Sequence, residues 1–448
     1  MRLLIIGAGR TGKNLANKLC NMGHDVIMID NNANALTNID SEVDVLLVEG
    51  NGSTPDILEK AEVAKSDVVV AVTSKDEVNL LACHYARCAG VCRTIARISD
   101  VSYINSPLVD LGKFGVDRAV NHNEECAQEI LNVLCLPGTI EVTNLLGGRI
   151  SAIGFKLPSA SPMLGKPLKQ FKEDERFLNV RFIGLVHDDE LEIPRGKTCF
   201  SEGDDVYVVL TPAETASFLD WVMGEQRQNL RKVIIAGSSD LGLSLAKLLE
   251  ETPIKTVLIE NNRIQAEYAS ELLNKCLVIN ADASKSVIFK EIGTDIETAF
   301  VAVTGDEEMN IVSCIQAKQL GAGFTVARID KPEYIPIIDK LNLIDCIINP
   351  YLALIKTILQ FVHGENIVDV GLFHRISGEL LEIAIKAGSK KVNMPLSETN
   401  LPRGMIVAAV QRGNEAFIPT GEFVLKENDR LAVYCLPNMV NKLKSVFK

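Results

Sequence analysis

The chain has 448 residues, of which 47% are hydrophobic and 23% are charged. This length and composition are typical of a globular protein with about two to four domains. The net charge of -12 argues against a nucleic-acid partner, because such binding depends on clustered Lys and Arg. We expect no signal peptide and no membrane span, and the eleven cysteines, an odd number without a CxxC pair, indicate reduced thiols in the cytoplasm.

The first element predicted along the chain is a strand that ends in a glycine-rich loop. Gly7-Ala8-Gly9-Arg10-Thr11-Gly12 follows the apolar run at residues 3–6 and opens a helix. In a GxGxxG loop the first glycine makes the tight turn, the second lets a phosphate approach the backbone, and the third lets helix and strand pack closely. The alternative is a glycine turn that serves packing alone.

Asp30 supports the nucleotide interpretation of this loop. It ends the second predicted strand 18 residues after Gly12, where a carboxylate can accept hydrogen bonds from ribose hydroxyls. Its neighbours Asn31 and Asn32 bring no cation for a 2′-phosphate, so the pattern favours NAD or an adenosine nucleotide over NADP. Arg10 either reaches a distal phosphate, on this chain or an adjacent one, or is a solvated loop residue.

Short apolar strands then alternate with amphipathic helices through the first lobe. The predicted strands are 3–6, 26–29, 45–48, 68–72 and 94–98. This alternation predicts a parallel sheet covered by helices on both faces. Further on, half-alternating segments at 182–186 and 206–210 are joined by Gly, Asp and Pro turns, which indicates a small α+β lobe.

The second half of the chain repeats the first. At an offset of 230 or 231, Gly237, Gly242 and Glu260 answer Gly7, Gly12 and Asp30, and at an offset of 225, Asn428-Asp429 answers Gly203-Asp204. The chain is therefore a tandem duplication of a two-part unit: two Rossmann-like, doubly wound parallel-sheet lobes of the α/β class, each followed by a small α+β lobe. The predicted parallel-sheet lobes are 1–122 and 231–349, the junction helices are 123–138 and 350–364, and the small lobes are 139–225 and 365–448.

The second glycine loop departs from the first. Ser239 replaces the middle glycine, and Arg10 is replaced by Asp240 or Leu241 according to the register. We therefore expect weaker phosphate contacts there, although Glu260 keeps the ribose carboxylate. A degraded nucleotide site and a purely structural role both remain open.

Each junction between lobes is predicted to be an apolar helix. Residues 123–137 and 350–363 present apolar stripes, and Gly138 and Gly364 follow as stop signals. The stripes are Ala127, Ile130, Leu131 and Leu134, and Ile355, Ile358, Leu359 and Val362. Such a stripe is either ordinary core or a contact between protomers.

The loop motifs and their repetition resemble a known family. The GxGRxG loop, Gly50-Asn51-Gly52-Ser53, the segment Ala71 to Asn79 and the tandem organisation are similar to the peripheral nucleotide-binding subunits of bacterial Trk potassium-uptake systems, which contain two RCK (regulator of potassium conductance) units. The family usually has Gly-Asp-Ala-Thr at 50–53, so Asn51 lacks a carboxylate that Asp282 keeps in the second copy.

The resemblance implies a cytoplasmic protein that binds NAD(H) and ATP or ADP, forms a homotetrameric ring on the inner face of the plasma membrane, and gates a potassium-translocating membrane subunit. It implies that the junction helices cross over to neighbouring lobes. Glu124, in His122-Asn123-Glu124, weakly resembles a divalent-cation ligand of related proteins. Together with the loop residues named above, the expected binding residues are Asn51, Gly52, Thr73, Ser74, Asn79, Arg97, Gly237, Ser238, Ser239, Gly242, Glu260, Asp282, Thr304 and Arg328.

The main alternative is an NAD-dependent oxidoreductase. Hydride transfer would need a substrate domain with an acid/base pair, and the other lobes are small and lack one. His187 stands alone, because the aligned segment of the second copy reads Val410-Gln411-Arg412-Gly413. We therefore predict that the chain is not an enzyme. A ligand-binding scaffold without a transport role is a third possibility.

Overall fold

The computed structural model describes the chain except for short gaps. The gaps are residues 38–44, 172–173, 175–176, 189, 225–226, 228, 363–366, 374–375, 377, 387, 437–438, 440–441, 444–445 and 448. The chain forms two compact units. The first contains Met1–Glu125 with Tyr351–Glu365, and the second contains Cys126–Pro350 with Asn366–Lys448.

The first unit is built on a six-stranded parallel sheet with the strand order β3-β2-β1-β4-β5-β6. Its strands are β1 (Arg2–Ile6), β2 (Asp25–Asp30), β3 (Val45–Glu49), β4 (Val68–Ala71), β5 (Arg93–Arg97) and β6 (Arg118–Val120). Its helices are α1 (Arg10–Asn21), α2 (Ala33–Thr37), α3 (Pro55–Lys60), α4 (Asp76–Cys88) and α5 (Ser102–Asn105). Residues 3–6 and 68–71 are buried on both faces of the sheet, which explains why these strands are continuous apolar runs.

A long helix, α6 (His122–Cys135), leads into the second unit, and most of it belongs there. The first small lobe follows with a five-stranded antiparallel sheet of order β10-β9-β11-β8-β7. Its elements are β7 (Glu141–Leu145), β8 (Ile150–Lys156), β9 (Val180–His187), β10 (Glu190–Glu192), β11 (Asp205–Leu210) and α7 (Pro212–Met223).

The second parallel sheet repeats the strand order of the first, as β14-β13-β12-β15-β16-β17. Its strands are β12 (Lys232–Ala236), β13 (Lys255–Glu260), β14 (Leu277–Asn280), β15 (Thr298–Ala302), β16 (Phe324–Arg328) and β17 (Cys346–Ile348). Its helices are α8 (Asp240–Glu250), α9 (Arg263–Leu272), α10 (Ser286–Ile292), α11 (Glu307–Gln319) and α12 (Ile335–Leu341). The duplication predicted from the aligned glycines is thus a duplication of the whole topology.

The last helix, α13 (Pro350–Val362), returns to the first unit, and the second small lobe then completes the second unit. This lobe is another antiparallel sheet, of order β18-β19-β22-β20-β21. Its strands are β18 (Ile367–Leu372), β19 (Glu379–Ala384), β20 (Met405–Arg412), β21 (Glu415–Phe417) and β22 (Arg430–Cys435). The two small lobes share one hydrophobic core, in which Ile150 and Tyr207 join Leu380 and Tyr434.

The apolar stripes of both junction helices are buried within the single chain. Ile130 on α6 and Ile358 on α13 are both fully buried, and Leu131 alone among the predicted stripe residues is half-buried. Of the two alternatives, core packing is therefore the one that the structure shows. Among the described residues no helix is both long and apolar enough to cross a membrane.

Candidate functional site

The first candidate site lies where the strand order of the first sheet reverses, between β1 and β4. Parallel α/β sheets bind ligands at the carboxyl ends of the strands at such a point. Gly7 leaves β1 with φ of 112°, and a Cβ there would lie 3.0 Å from the Thr73 amide nitrogen. A Cβ on Gly12 would overlap the Gly7 carbonyl oxygen, whereas a Cβ on Gly9 would meet nothing within 4 Å. Gly9 thus leaves open the space in which a phosphate would approach the backbone.

Asp30 holds the glycine loop in place as well as facing the site. One carboxylate oxygen accepts a hydrogen bond from the Ala8 amide at 2.6 Å, and the other accepts one from the Asn32 amide at 2.8 Å. A carboxylate oxygen has two lone pairs, so each can still accept a hydroxyl hydrogen. Ribose recognition and loop positioning are therefore both functions that this side chain can serve.

The other predicted residues of the first site divide into exposed and buried groups. Asn51 is exposed, and its side-chain oxygen accepts a hydrogen bond from the Ser53 amide at 3.0 Å. Ser74 is exposed and Thr73 is half-buried, whereas Thr11 and Gly52 are buried. These placements leave the exposed residues as the candidates for direct contact.

Asn79 has a different role from the one expected of a ligand contact. It is fully buried, accepts hydrogen bonds from the amide and hydroxyl of Thr73, and donates to the carbonyls of Thr73 and Arg97. It thereby ties the ends of β4 and β5 together. The prediction of direct binding by Asn79 is corrected to a positioning role, and Asn310 makes the same four bonds around Thr304 and Arg328.

Arg10 contacts a residue that sequence reasoning did not include in the site. Its guanidinium carbon lies 5.6 Å from the centre of the Tyr351 ring, at the start of α13, which is a cation–π distance. Arg10 is exposed but is not simply solvated. No local signal could have identified Tyr351, because it is about 340 residues away in the sequence and reaches the site only through the crossover of α13.

Arg97 and Arg328 occupy matching strand ends but have different surroundings. Arg328 forms a bidentate ion pair with Asp330, at 2.9 and 3.0 Å. Arg97 is half-buried, and burial lowers its pKa, although Tyr351 and Asp76 oppose that shift. Neither arginine is placed by these contacts as a direct ligand group, so their predicted binding roles stay predictions.

The second site contains a cavity of about 750 Å³ at the matching edge of the second sheet. It is lined by six of the residues expected to bind a nucleotide: Gly237, Ser238, Ser239, Glu260, Asp282 and Thr304. Gly242 packs against the Gly237 carbonyl instead. Sequence reasoning missed further lining residues, among them Gln265, Tyr268 and Asp306. Gln265 and Tyr268 lie on α9, and no sequence motif in that helix identifies them as binding residues.

Glu260 repeats the arrangement of Asp30. It accepts hydrogen bonds from the amide and hydroxyl of Ser238, both at 2.8 Å, and from the Asn262 amide at 2.8 Å. Burial works to raise the pKa of Glu260, but these hydrogen bonds outweigh it and the pKa is lowered. The carboxylate is therefore held in its charged, hydrogen-bond-accepting form.

The Ser239 side chain caps the N-terminus of α8. Its hydroxyl donates to the Val303 carbonyl at 2.8 Å and accepts from the Gly242 amide at 3.4 Å, so it is turned toward the helix and the sheet. The helix bounds also settle the register, since α8 begins at Asp240 as α1 begins at Arg10. A carboxylate therefore stands where the first lobe has a guanidinium.

The predicted divalent-cation ligand lacks companions. Glu124 is exposed in the first turn of α6. In the part of the chain that the structure describes, no group of three or more His, Cys, Asp or Glu could hold a metal ion. Among the described residues, Glu124 therefore has no companion ligands with which to form a metal site.

The two glycine-loop edges and the two antiparallel lobes define a duplicated Rossmann-like protein. The TrkA-N domain family matches residues 3–122 and 233–350, and the TrkA-C domain family matches 153–223 and 380–448. The chain therefore belongs to the TrkA family of tandem TrkA-N and TrkA-C proteins, which confirms the resemblance drawn from the loop motifs.

Curated relatives align along the whole chain. The Trk system potassium uptake protein TrkA homolog 2 of Methanosarcina mazei is 30% identical over 100% of both chains. The Trk system potassium uptake protein TrkA of Vibrio alginolyticus is 29% identical over 99% of this chain and 96% of its own. Both relatives are named as potassium uptake proteins, which agrees with the prediction that the chain is not an enzyme.

The fold has solved counterparts. The RCK domain of GsuK aligns with 100% of this chain and 94% of its own length, with a TM-score of 0.60 and 18% identity. The GsuK channel bound to NAD aligns with 100% of this chain and 78% of its own, with a TM-score of 0.60 and 17% identity. The predicted α/β fold with tandem RCK lobes is thereby confirmed.

Proposed function

We propose that this chain is the regulatory subunit of a Trk-type potassium uptake system and that it responds to nucleotides. The proposal is supported by its membership of the TrkA family and by relatives named as Trk potassium uptake proteins over their whole length. Its partner would be the potassium-translocating membrane subunit. The chain would act at the cytoplasmic face of the membrane as a homotetrameric ring.

The first glycine loop is the proposed site for NAD(H), with ATP or ADP as competitors. The observation that carries this proposal is the pairing of Asp30 with the Ala8 amide beside the open approach at Gly9. Asp30 would accept the ribose hydroxyls, and the N-terminal amides of α1 would face the phosphates. Arg10, at the first residue of α1, would meet the distal phosphates of ATP.

A nucleotide at this site can act on the rest of the molecule through α13. Arg10 is shared between the glycine loop and the Tyr351 ring, and α13 connects the second parallel lobe to the second small lobe. A ligand shifts an equilibrium only by its difference in affinity for two arrangements, and about 2 to 3 kcal/mol shifts it roughly 30- to 150-fold. NAD(H) and ATP would compete for the loop and stabilise different arrangements.

The test is calorimetric titration of NADH, ATP and ADP into wild type and Asp30→Ala. Hydrogen bonds to a charged group contribute about 1.5 to 3 kcal/mol, so we expect NADH binding to weaken roughly tenfold to a hundredfold. Asp25→Ala is the matched control, because Asp25 begins the same strand and is exposed. Melting curves must show that both variants are folded, since Asp30 also holds Ala8. Unchanged NADH affinity in a folded Asp30→Ala protein would reject the site.

A further inference from the structure

The two parallel lobes have the same geometry at their ligand edges but opposite charge. Four positions can be matched through the structure, and each differs. The first residues of α1 and α8 are Arg10 and Asp240, and their fourth residues are Lys13 and Leu243. The N-caps of α4 and α11 are Lys75 and Asp306. Asn51 and Asp282 accept hydrogen bonds from the matching Ser53 and Ser284 amides, both at 3.0 Å.

Every charged side chain among the described residues that line the second cavity is therefore a carboxylate. Its lining contains Asp240, Glu260, Asp282 and Asp306, and no Lys or Arg is among the described residues that line it. At the corresponding positions the first lobe has three cations, Arg10, Lys13 and Lys75, and the single carboxylate Asp30. Like charges repel within the few ångströms of a binding site, and low-dielectric walls strengthen that repulsion. A phosphate is thus favoured by the first edge and opposed by the second.

The helix N-termini at the two edges make the same distinction by a separate means. Ser239 caps α8 by accepting from the Gly242 amide, and Asp306 caps α11 by accepting from the Met309 amide at 2.9 Å. Within the described chain, α1 and α4 have no side-chain cap. Free N-terminal amides are the groups that bind phosphates in Rossmann-like folds. In the second lobe these amides are already partly used by the protein itself.

The remaining groups of the second cavity suit a ligand that donates hydrogen bonds. Glu260 stands at the end of β13 in the ribose position and is held charged by its amide partners. One Asp282 carboxylate oxygen accepts from the Ser284 amide, and the other lies 4.0 Å from the Lys285 Nζ and has lone pairs left for an amino or hydroxyl donor. Tyr268 is 53% exposed at the cavity. Hydroxyls, an amino group and an aromatic face are together the features of a nucleoside.

We propose that the second cavity binds a nucleoside without phosphate groups, with adenosine as the probe, and rejects NAD(H), ADP and ATP. The inference rests on the proposed nucleotide-sensing role of the chain and extends it. The two lobes would then sense different ligand classes, phosphorylated nucleotides in the first and a dephosphorylated nucleoside in the second. A duplicated fold would thereby report on a ratio of two ligands.

The experiment titrates adenosine, AMP, ATP and NADH into the full-length protein in EDTA, with wild type, Asp30→Ala and Glu260→Ala. We expect Glu260→Ala to weaken adenosine binding by about tenfold or more and to leave NADH unchanged, because the lost hydrogen bonds are to a charged group. We expect Asp30→Ala to weaken NADH binding and to leave adenosine binding unchanged. If Asp30→Ala does not weaken NADH binding while Glu260→Ala still weakens adenosine binding, the result counts against the first site. If Glu260→Ala does not weaken adenosine binding while Asp30→Ala still weakens NADH binding, the result counts against this inference.

A gain-of-function variant keeps the inference testable if Glu260→Ala does not fold. Asp240→Arg with Asp306→Asn places the first-lobe arginine at the start of α8, leaves Glu260 and Asp282 intact, and preserves the α11 cap with a neutral side chain. We expect AMP to gain about tenfold or more in affinity at this site while adenosine stays within about threefold. Arg10→Asp is the matched reversal in the first lobe and should weaken AMP there.

Two results would overturn the proposal. One is a wild-type stoichiometry of two NADH per chain with one site sensitive to Glu260→Ala. The other is AMP or ATP binding at the Glu260-dependent site when Mg²⁺ replaces EDTA, because a bridging cation would then cancel the carboxylate charge. Adenosine binding that is lost with Glu260 and is unaffected by Mg²⁺ supports it.

Discussion

The two small lobes differ in the residue that pairs with one buried aspartate. In the first, His187 at the end of β9 pairs through Nδ1 with Asp204 at 2.6 Å, and Asp204 also accepts from the Ser201 amide. In the second, Arg412 at the end of β20 makes two bonds to Asp429, at 2.8 and 2.7 Å. Both aspartates are almost completely buried. A guanidinium is always charged, whereas an imidazole is charged only below its pKa, so only the first lobe has a pH-dependent partner for its buried carboxylate.

The first prediction at this scale is a pH-dependent stability of the first small lobe. The hydrogen bond to Asp204, followed by the charges of Asp204, Asp188 and Glu190, raises the pKa of His187 above its usual 6.5. A raised pKa in the folded state means that the stabilisation is complete below about 6.5 and is lost as the pH rises through the folded value. Melting temperatures measured across this range should fall for wild type relative to His187→Arg, which copies Arg412. The prediction would be contradicted if the melting temperatures of wild type and His187→Arg changed with pH in the same way.

Residue identities were predictable where the backbone leaves little choice. Gly7, Gly12 and their counterparts are required by a positive φ or a close approach, and Asp30 follows from its strand end. The side-chain directions were not predictable. The Ser239 hydroxyl turned to cap a helix and Asn79 turned to brace two strands, because a buried polar group satisfies its hydrogen bonds with the nearest backbone. Those partners belong to other strands and are fixed only by the tertiary fold.

The crossover helix α13 is attached to the first unit at both ends. Tyr351 meets Arg10 at its start, and the Arg93 guanidinium donates to the carbonyls of Phe361 and Val362 at its end, at 3.3 and 3.2 Å. A cation at a helix C-terminus satisfies carbonyls that have no partner in the helix and interacts favourably with the helix dipole. Because Arg93 begins β5, the helix is tied to the same sheet whose edge forms the glycine-loop site.

The second prediction tests the contact at the start of α13. An exposed cation–π contact contributes about 0.5 to 1 kcal/mol, so Tyr351→Ala should weaken ATP binding roughly two- to fivefold by releasing Arg10 from its position over the loop. Tyr351→Phe keeps the ring and should match wild type. In an Arg10→Ala background, Tyr351→Ala should have no further effect on the ATP dissociation constant measured by calorimetry. An equal effect in both backgrounds would mean that Tyr351 acts independently of Arg10.

At the level of elements, the periodicity of apolar residues located five of the six strands of the first sheet to within about one residue and missed the short β6 (Arg118–Val120). The same periodicity located the two junction helices but not the lobes against which they pack. A buried stripe on a helix specifies only that some apolar surface covers it. The partner of α13 lies about 250 to 350 residues earlier in the sequence, and only the topology brings the two together.

In the whole molecule, each of the two compact units contains residues from both halves of the sequence. The first unit is completed by a helix from after the second parallel lobe, and the second unit contains both small lobes with their shared core. A duplicated chain could have folded as two independent copies. The exchange of α13 instead makes the integrity of the first site depend on residues of the second half. Through this shared helix a change at the edge of the first sheet can be coupled to residues of the second half of the chain.

The last prediction asks whether the α13 stripe holds the chain itself together. Ile358 is fully buried, and a charge placed there would lack a partner, so Ile358→Asp should lower the free energy of unfolding by about 4 kcal/mol or more. Ile264→Asp is the matched control, since Ile264 is 74% exposed on α9 and should change stability little. Thermal melting gives the stability, and light scattering gives the mass of the assembly. NADH binding should be lost together with the folded signal of Ile358→Asp. A variant that melts like wild type but has a smaller mass would show that the stripe joins protomers instead.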